Sequence, residues 1–318
     1  MRTLLVIAAV FPLVPLSGYS FSAPSHEAIA QAAVQMLDAP AKTKVNAILD
    51  GESVADAAIW LDRVREHYKF EEPSDEEEAL VFGRYFPDNA NWHFCNYIVG
   101  STEYDFSSKY ASNDDVVHAL EKAIAVLEGS PSKMTKLQAL RAVFHLTGDI
   151  HQPLHCITGY YDISNMKAPV LLSDVEDPKT AIEDRGGNQL YYTASQELHA
   201  LWDLGLPRRI SADVNTLASK LVVPLASQPE PPGDYHHWAE GWAGDSMKQA
   251  NAAYAGIVYK SAAYVDDPRN PGKQKLEISI ALPGGEQKYK ADQQDRVEEQ
   301  LKKAAVHLAQ LLSKINFK

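Results

Sequence analysis

Apolar residues recur at three- and four-residue spacing through nine segments, 25–38, 40–50, 53–67, 113–128, 132–149, 192–203, 211–225, 236–263 and 291–315, and that period predicts helices. Strand-like alternation is scarce. Its clearest case is Lys275–Leu282, KLEISIAL, bounded by Pro271-Gly272 and Pro283-Gly284-Gly285, which predicts one arm of a small hairpin with 286–292 as the other. The pattern therefore predicts a mainly α fold. Three stretches interrupt it: an acidic run at 71–80, read as a solvated loop or helix start; the segment 157–190, holding Asp184-Arg185-Gly186-Gly187-Asn188; and the proline-rich 226–235.

The first twenty residues follow a different logic. Arg2, an apolar run from Leu4 to Val14, and small residues at Gly18 and Ser20 predict a signal peptide over 1–20, with a single mature domain, 21–318, starting at Phe21. Pro12 and Pro15 interrupt the run, and no later window reaches the roughly 18 apolar residues that a spanning helix needs. The expectation is a secreted or periplasmic protein with no membrane association and no obligate protein partner.

Charge narrows the ligands. The formal net charge is −12, and losing Arg2 with the leader moves it to −13. So acidic a chain repels polyanions unless something local inverts its field, and bound divalent cations do that. Cys95 and Cys156 each sit beside a candidate metal ligand; in an oxidising compartment they either pair or remain thiols, and spacing alone does not decide between them.

The densest chemistry lies in 145–155, HLTGDIHQPLH. His145 and Asp149 are four apart, hence on one face of a helix, and His155 follows the turn that Pro153 enforces. His199 and Asp203 repeat the four-residue spacing in LHALWD. Asp62 lies in WLDRVR, His93 in NWHF, and His26 five residues after Phe21. Imidazole with carboxylate suits Zn²⁺, and the lack of a thiolate cluster argues against a structural zinc finger.

With these motifs in order, the chain resembles the zinc-dependent single-strand nucleases of the S-one and P-one type, related to plant bifunctional nucleases and, more distantly, to the bacterial zinc phospholipases C. The resemblance rests on the ligand near the new N-terminus, WLDRVR, WHF, HLTGDIHQPLH, DRGGN and LHALWD, and spans nearly the whole mature chain. It implies a single multi-helix domain of that type and three Zn²⁺ per chain. Asp62, His93, His145 and Asp149 would hold one zinc, and His155, His199 and Asp203 a second. The third would take the α-amino group and carbonyl of Phe21, His26, and the other oxygen of Asp149.

The implied activity is hydrolysis of single-stranded DNA and RNA to 5′-nucleotides, with 3′-nucleotidase activity as a companion, through a metal-activated hydroxide attacking phosphorus. Asp62 would orient or deprotonate that nucleophile, and Arg65 would meet the scissile phosphate. Phe94 matches the base-stacking position and Asn96 the position that bonds the base edge. Two departures stand out: phenylalanine replaces the family's usual first tryptophan, and Asn96 replaces a frequent aspartate. His151 and Gln152 match no ligand position and read as supports for the ligands; His236 and His237 read as capping or surface residues. Two other readings remain open: a zinc phospholipase C or phosphomonoesterase using the same cluster, and a secreted zinc-binding protein without catalysis.

Overall fold

The computed structural model describes residues 22–65, 73–267 and 270–318; the signal-peptide expectation over 1–20 and the predicted ligand Phe21 lie outside them. Twelve α-helices account for most of the described chain: α1 (Ala23–Met36), α2 (Ala39–Leu49), α3 (Val54–Arg65), α4 (Pro73–Tyr85), α5 (Val116–Leu127), α6 (Lys136–Ile150), α7 (Pro153–Cys156), α8 (Leu198–Ala200), α9 (Leu206–Ile210), α10 (Val214–Leu221), α11 (Trp238–Tyr254) and α12 (Glu286–Lys314). The mainly α expectation holds.

Local sequence explains where several of them begin. Asp38 caps α2 by accepting from the Ala41 amide, with Pro40 in the first turn; Asp115 caps α5 and Asp213 caps α10 in the same way. Thr135 and Gln138 form a reciprocal capping box at the start of α6. That helix is buried on every side from Gln138 to Ile150, so it runs through the interior with α1, α3, α5 and α12 packed around it. A large contiguous hydrophobic core results, beside a small second cluster of Ile98, Tyr160 and Val175, and polar side chains on α6 can only be tolerated in the large core if they meet partners.

Strands are short and peripheral: β1 (Tyr97–Ile98) pairs parallel with β2 (Ile157–Thr158), and β3 (Tyr160–Asp162) antiparallel with β4 (Val170–Leu172). A three-stranded sheet has the order β5-β7-β6, from β5 (Leu190–Tyr191), β6 (Val258–Asp266) and β7 (Gln274–Ala281). This corrects the predicted hairpin. The arm KLEISIAL is β7 as expected, but its antiparallel partner is β6, which the pattern assigned to the end of a helix over 236–263; residues 286–292 are instead the opening turns of α12. Helix α11 stops at Tyr254, and Gly256, with φ of +75°, turns the chain into the strand.

The predicted helix over 192–203 is also corrected, because it begins only at Leu198. From Leu201 to Gly205 it widens into a π turn before α9. Of the acidic run at 71–80, the described residues 73–80 resolve as a helix start, with Pro73 opening α4. Cys95 and Cys156 are buried free thiols, Cys95 Sγ donating to the Cys156 carbonyl at 3.8 Å, and burial pushes the Cys95 thiol well above its usual range. Among the described residues no helix is long and apolar enough to cross a membrane.

Candidate metal centre

The buried α6 supplies His145 and Asp149 one turn apart. The His145 Nδ1 donates to the Ala58 carbonyl of α3 at 2.7 Å, which fixes the ring and aims Nε2 inward. Asp62, also on α3, brings Oδ1 to 3.6 Å from that Nε2 and 3.7 Å from His93 Nδ1. His93 ends a short 3₁₀ turn over Asn89–His93, its Nδ1 2.9 Å from Asp149 Oδ2 and 3.0 Å from His145 Nε2.

Helix α1 crosses α6 closely enough to stack His26 on His145 with ring centroids 3.9 Å apart, and His26 Nε2 lies 3.4 Å from Asp149 Oδ1. The contact depends on Gly148, because a Cβ there would stand 2.6 Å from His26 Nδ1. On the other side Pro153 opens α7 and delivers His155, whose Nδ1 is 3.2 Å from Asp149 Oδ1 and whose Nε2 is 3.7 Å from Asp203 Oδ1. His199 faces Asp203 at 3.1 Å and stacks on His155; its Nδ1 donates to the Gly186 carbonyl at 2.7 Å.

Three groups of ligand-type atoms thus converge: Asp62 with His93 and His145; His26 with His145 and Asp149; and His155 with His199 and Asp203. Every described residue that the sequence nominated as a ligand is among them. Asp149 touches an imidazole of each group, which makes it the hub. Phe21 lies outside the described residues; its neighbour Ser22 donates its amide to the Asp203 carbonyl at 3.1 Å, so the described chain begins against the centre.

Do these groups fit a metal? Asp149 Oδ1, Asp203 Oδ2, His93 Nε2 and both His155 nitrogens are buried without a hydrogen bond, although several stand within 3.2 Å of an oppositely charged partner. Short distances without hydrogen-bond directions mean that lone pairs point at shared space rather than at one another. Leaving so many buried polar atoms unmatched costs roughly 1–3 kcal/mol each, which a bound cation removes. The electrostatics agree. Burial disfavours charge on His155, yet the Asp149 and Asp203 carboxylates outweigh it and raise that imidazole to about 10. Burial likewise pushes Asp149 up, but the surrounding imidazoles hold it well below the ordinary carboxylate range. His93 goes the other way, to about 4, through burial and the Arg65 charge. The centre demands positive charge, and the imidazoles and carboxylates it gathers form a donor set that a cation such as Zn²⁺ accepts once its charge displaces the imidazole protons.

The residues around the ligands follow the supporting roles read from the sequence only in part. Gln152 donates to Asp203 Oδ1 at 2.6 Å and accepts from the Leu154 amide, so it orients a candidate ligand. His151 points away from the centre instead: it donates from Nδ1 to the Thr147 carbonyl and accepts at Nε2 from His307, which stacks on Trp242. His237 is exposed at the head of α11, and Asp184 is a fully buried carboxylate that ties the Asp184–Asn188 turn together.

The centre opens on a cleft of about 510 Å³. His155, His199, Arg65, Phe94 and Asn96 are among the residues that line it. Phe94 is half-buried rather than a core residue, and Asn96 adopts φ of +47°, a conformation asparagine accepts more readily than most residues. Arg185 and Lys275 were missed as cleft residues. Lys275 lies on β7, whose pairing with β5 brings it to the site, and the misassigned hairpin partner hid that placement.

A mainly helical domain that buries five imidazoles and three carboxylates around one point, open to a cation-bearing cleft, gathers side chains that could hold metal ions beside a cleft suited to phosphate esters. A family model described as S1/P1 Nuclease matches residues 21–316, and the chain belongs to that family. It is also 24% identical over 247 residues to Nuclease S1 of Aspergillus oryzae, covering 76% of this chain and 73% of the relative. At the level that membership carries, the protein is a nuclease.

Proposed function

We propose that the protein is an exported zinc-dependent nuclease that hydrolyses single-stranded DNA and RNA to 5′-nucleotides and also removes the phosphate of 3′-nucleotides. The observation that carries this reading is the convergence of three His/Asp groups on Asp149 beneath a cleft lined by Phe94 and Arg65. Asp62, His93, His145 and Asp149 would hold one zinc, His155, His199 and Asp203 the second, and Phe21, His26 and Asp149 the third. Bound zinc supplies Lewis-acid charge for the phosphate and lowers the pKa of water toward neutrality.

The side chains do the remaining work. Phe94 presents a ring on which any base stacks, worth roughly 1–3 kcal/mol, while Asn96 offers donor and acceptor to the base edge. Arg65 pairs with non-bridging phosphate oxygens. Asp62, held below its ordinary carboxylate range by the neighbouring imidazoles despite burial, stays ionised and takes a proton from the attacking water. A flexible single strand bends into the cleft; a duplex has to lay its whole backbone on an acidic surface.

Export matters because the third site uses the free amine of Phe21, which cleavage after Ser20 creates. The family match beginning at Phe21 supports that boundary. An N-terminally extended chain is expected to bind fewer zincs than the processed one, and three zincs on the extended chain would refute this role for the amine. The activity test sets single-stranded DNA, RNA, duplex DNA, a 3′-nucleotide and a phosphatidylcholine dispersion side by side, before and after chelation. Turnover of single strands, lost on chelation, is expected; turnover of the lipid alone would refute the nuclease assignment.

A further inference from the structure

Arg185 has a backbone that needs explaining. Its φ of +57° places a bulky, non-glycine residue in the left-handed region, where such residues are rare and cost of order 1–3 kcal/mol. Its neighbours enforce the conformation. Buried Asp184 accepts from the Gly159 and Gly187 amides at 3.1 and 2.9 Å and from the Tyr161 and Tyr254 hydroxyls at 2.8 and 3.0 Å, while Asn188 donates its side-chain amide to the Arg185 carbonyl at 2.7 Å. Next in the chain, Gly186 has no room for a side chain, since a Cβ would stand 2.3 Å from the Leu154 carbonyl oxygen, and its own carbonyl holds His199.

All that machinery leaves Arg185 next to Gly186, whose carbonyl holds the predicted zinc ligand His199, and leaves it exposed and lining the cleft. Among the described residues its guanidinium makes no hydrogen bond or ion pair. Lys275, lining the same cleft, is held ready by Tyr191, to whose hydroxyl it donates at 2.7 Å, and by Glu277 at 2.9 Å. The acids of the cleft are Glu183 and Asp267, and burial together with Asp184 pushes Glu183 toward its neutral form. With Arg65 the cations outnumber these acids in a chain whose net charge is −12.

We propose that Arg185, assisted by Lys275, forms a second phosphate subsite that grips a backbone phosphate flanking the scissile one. This rests on the nuclease reading above and deepens it, because such a subsite selects polynucleotides over small esters. A guanidinium matches two phosphate oxygens at once, whereas an ammonium contributes a point charge. The strained turn fixes the direction in which the arginine leaves the backbone.

The test compares the zinc-loaded processed protein with its Arg185→Gln and Arg185→Lys variants, binding a labelled oligothymidylate whose phosphorothioate backbone resists cleavage. Arg185→Gln is expected to weaken binding about tenfold at low salt and to reduce the slope of log affinity against log salt by about 0.7, the contribution of one single-strand phosphate contact. Arg185→Lys should restore the slope and only part of the affinity. The ratio of kcat/KM on cleavable oligothymidylate to that on a small diester falls about tenfold in Arg185→Gln. Zinc content stays at the wild-type value. Equal binding and equal slope in Arg185→Gln would overturn the subsite, as would a variant whose losses track loss of zinc. Oligonucleotide binding that depends on Arg185 without any cleavage would overturn the nuclease reading and leave the subsite standing.

Discussion

Gly148→Ala is a test with two opposite outcomes. In an exposed helix this change stabilises by about 0.5–1 kcal/mol, because alanine loses less backbone freedom on folding. Here the new methyl would meet His26 Nδ1 at 2.6 Å and Cε1 at 2.8 Å, whereas ordinary contact begins at 3.4 Å, so the ring must retreat by about 0.8 Å. It has little room to do so, being fully buried and stacked on His145 at 3.9 Å. Overpacking of this kind costs about 1–3 kcal/mol and should appear as a roughly ten- to hundredfold weaker zinc affinity at the site that His26 serves. A displacement near 1 Å in a catalytic constellation also lowers the rate about a hundredfold. Equilibrium dialysis against graded zinc buffers, followed by metal analysis and calorimetry, reads all three effects. A variant that melts higher than wild type and keeps the full zinc complement would refute the packing argument and the assignment of His26 as a ligand.

Other perturbations separate the hub from the periphery. Asp149→Asn, which keeps the volume and removes the charge shared by four imidazoles, should lose two zincs where His199→Ala loses one; equal losses by metal analysis would contradict the bridging role. At the C-terminal end of α6, where His151 turns away from the centre, burial lowers His151 to about 4, and burial with the facing His151 lowers His307 further. Against an unfolded value near 6.5, the unfolded chain binds protons that the native state refuses, so this stability is complete above about pH 6.5 and drains as pH falls toward 4, by about 3 kcal/mol for His151 alone. His307→Phe should flatten the fall of the urea midpoint over that window, and an unchanged slope would remove the pair from the account.

Much of the clustering was legible because the side chains that converge obey local rules. The four-residue spacings of His145 with Asp149 and of His199 with Asp203 place each pair on one helical face, and Pro153 fixes the turn before His155. The helices with strong caps, α5 and α6 above all, lie close to where the apolar period puts them. What failed was non-local. Residues 258–266 are a strand because β7 supplies the partner, and nothing within that alanine- and tyrosine-containing stretch separates it from the end of α11. Residues 286–292 read as a strand beside a glycine pair, yet Gly285 begins α12. Because the sheet was misassigned, Lys275 had no visible place at the cleft. Arg185 was quoted within its motif, but only the positive φ distinguishes it from an ordinary turn residue, and that angle depends on contacts from Gly159, Tyr161 and Tyr254.

The central claim is that one carboxylate, Asp149, joins a trinuclear zinc centre. Anomalous diffraction from crystals of the processed protein, collected on both sides of the zinc edge, tests it most directly. The account predicts three peaks, two of them at bonding distance, about 2.0–2.2 Å, from different oxygens of Asp149, with the third beside His155, His199 and Asp203. Fewer peaks in zinc-saturated crystals, or three peaks of which at most one touches Asp149, would contradict it.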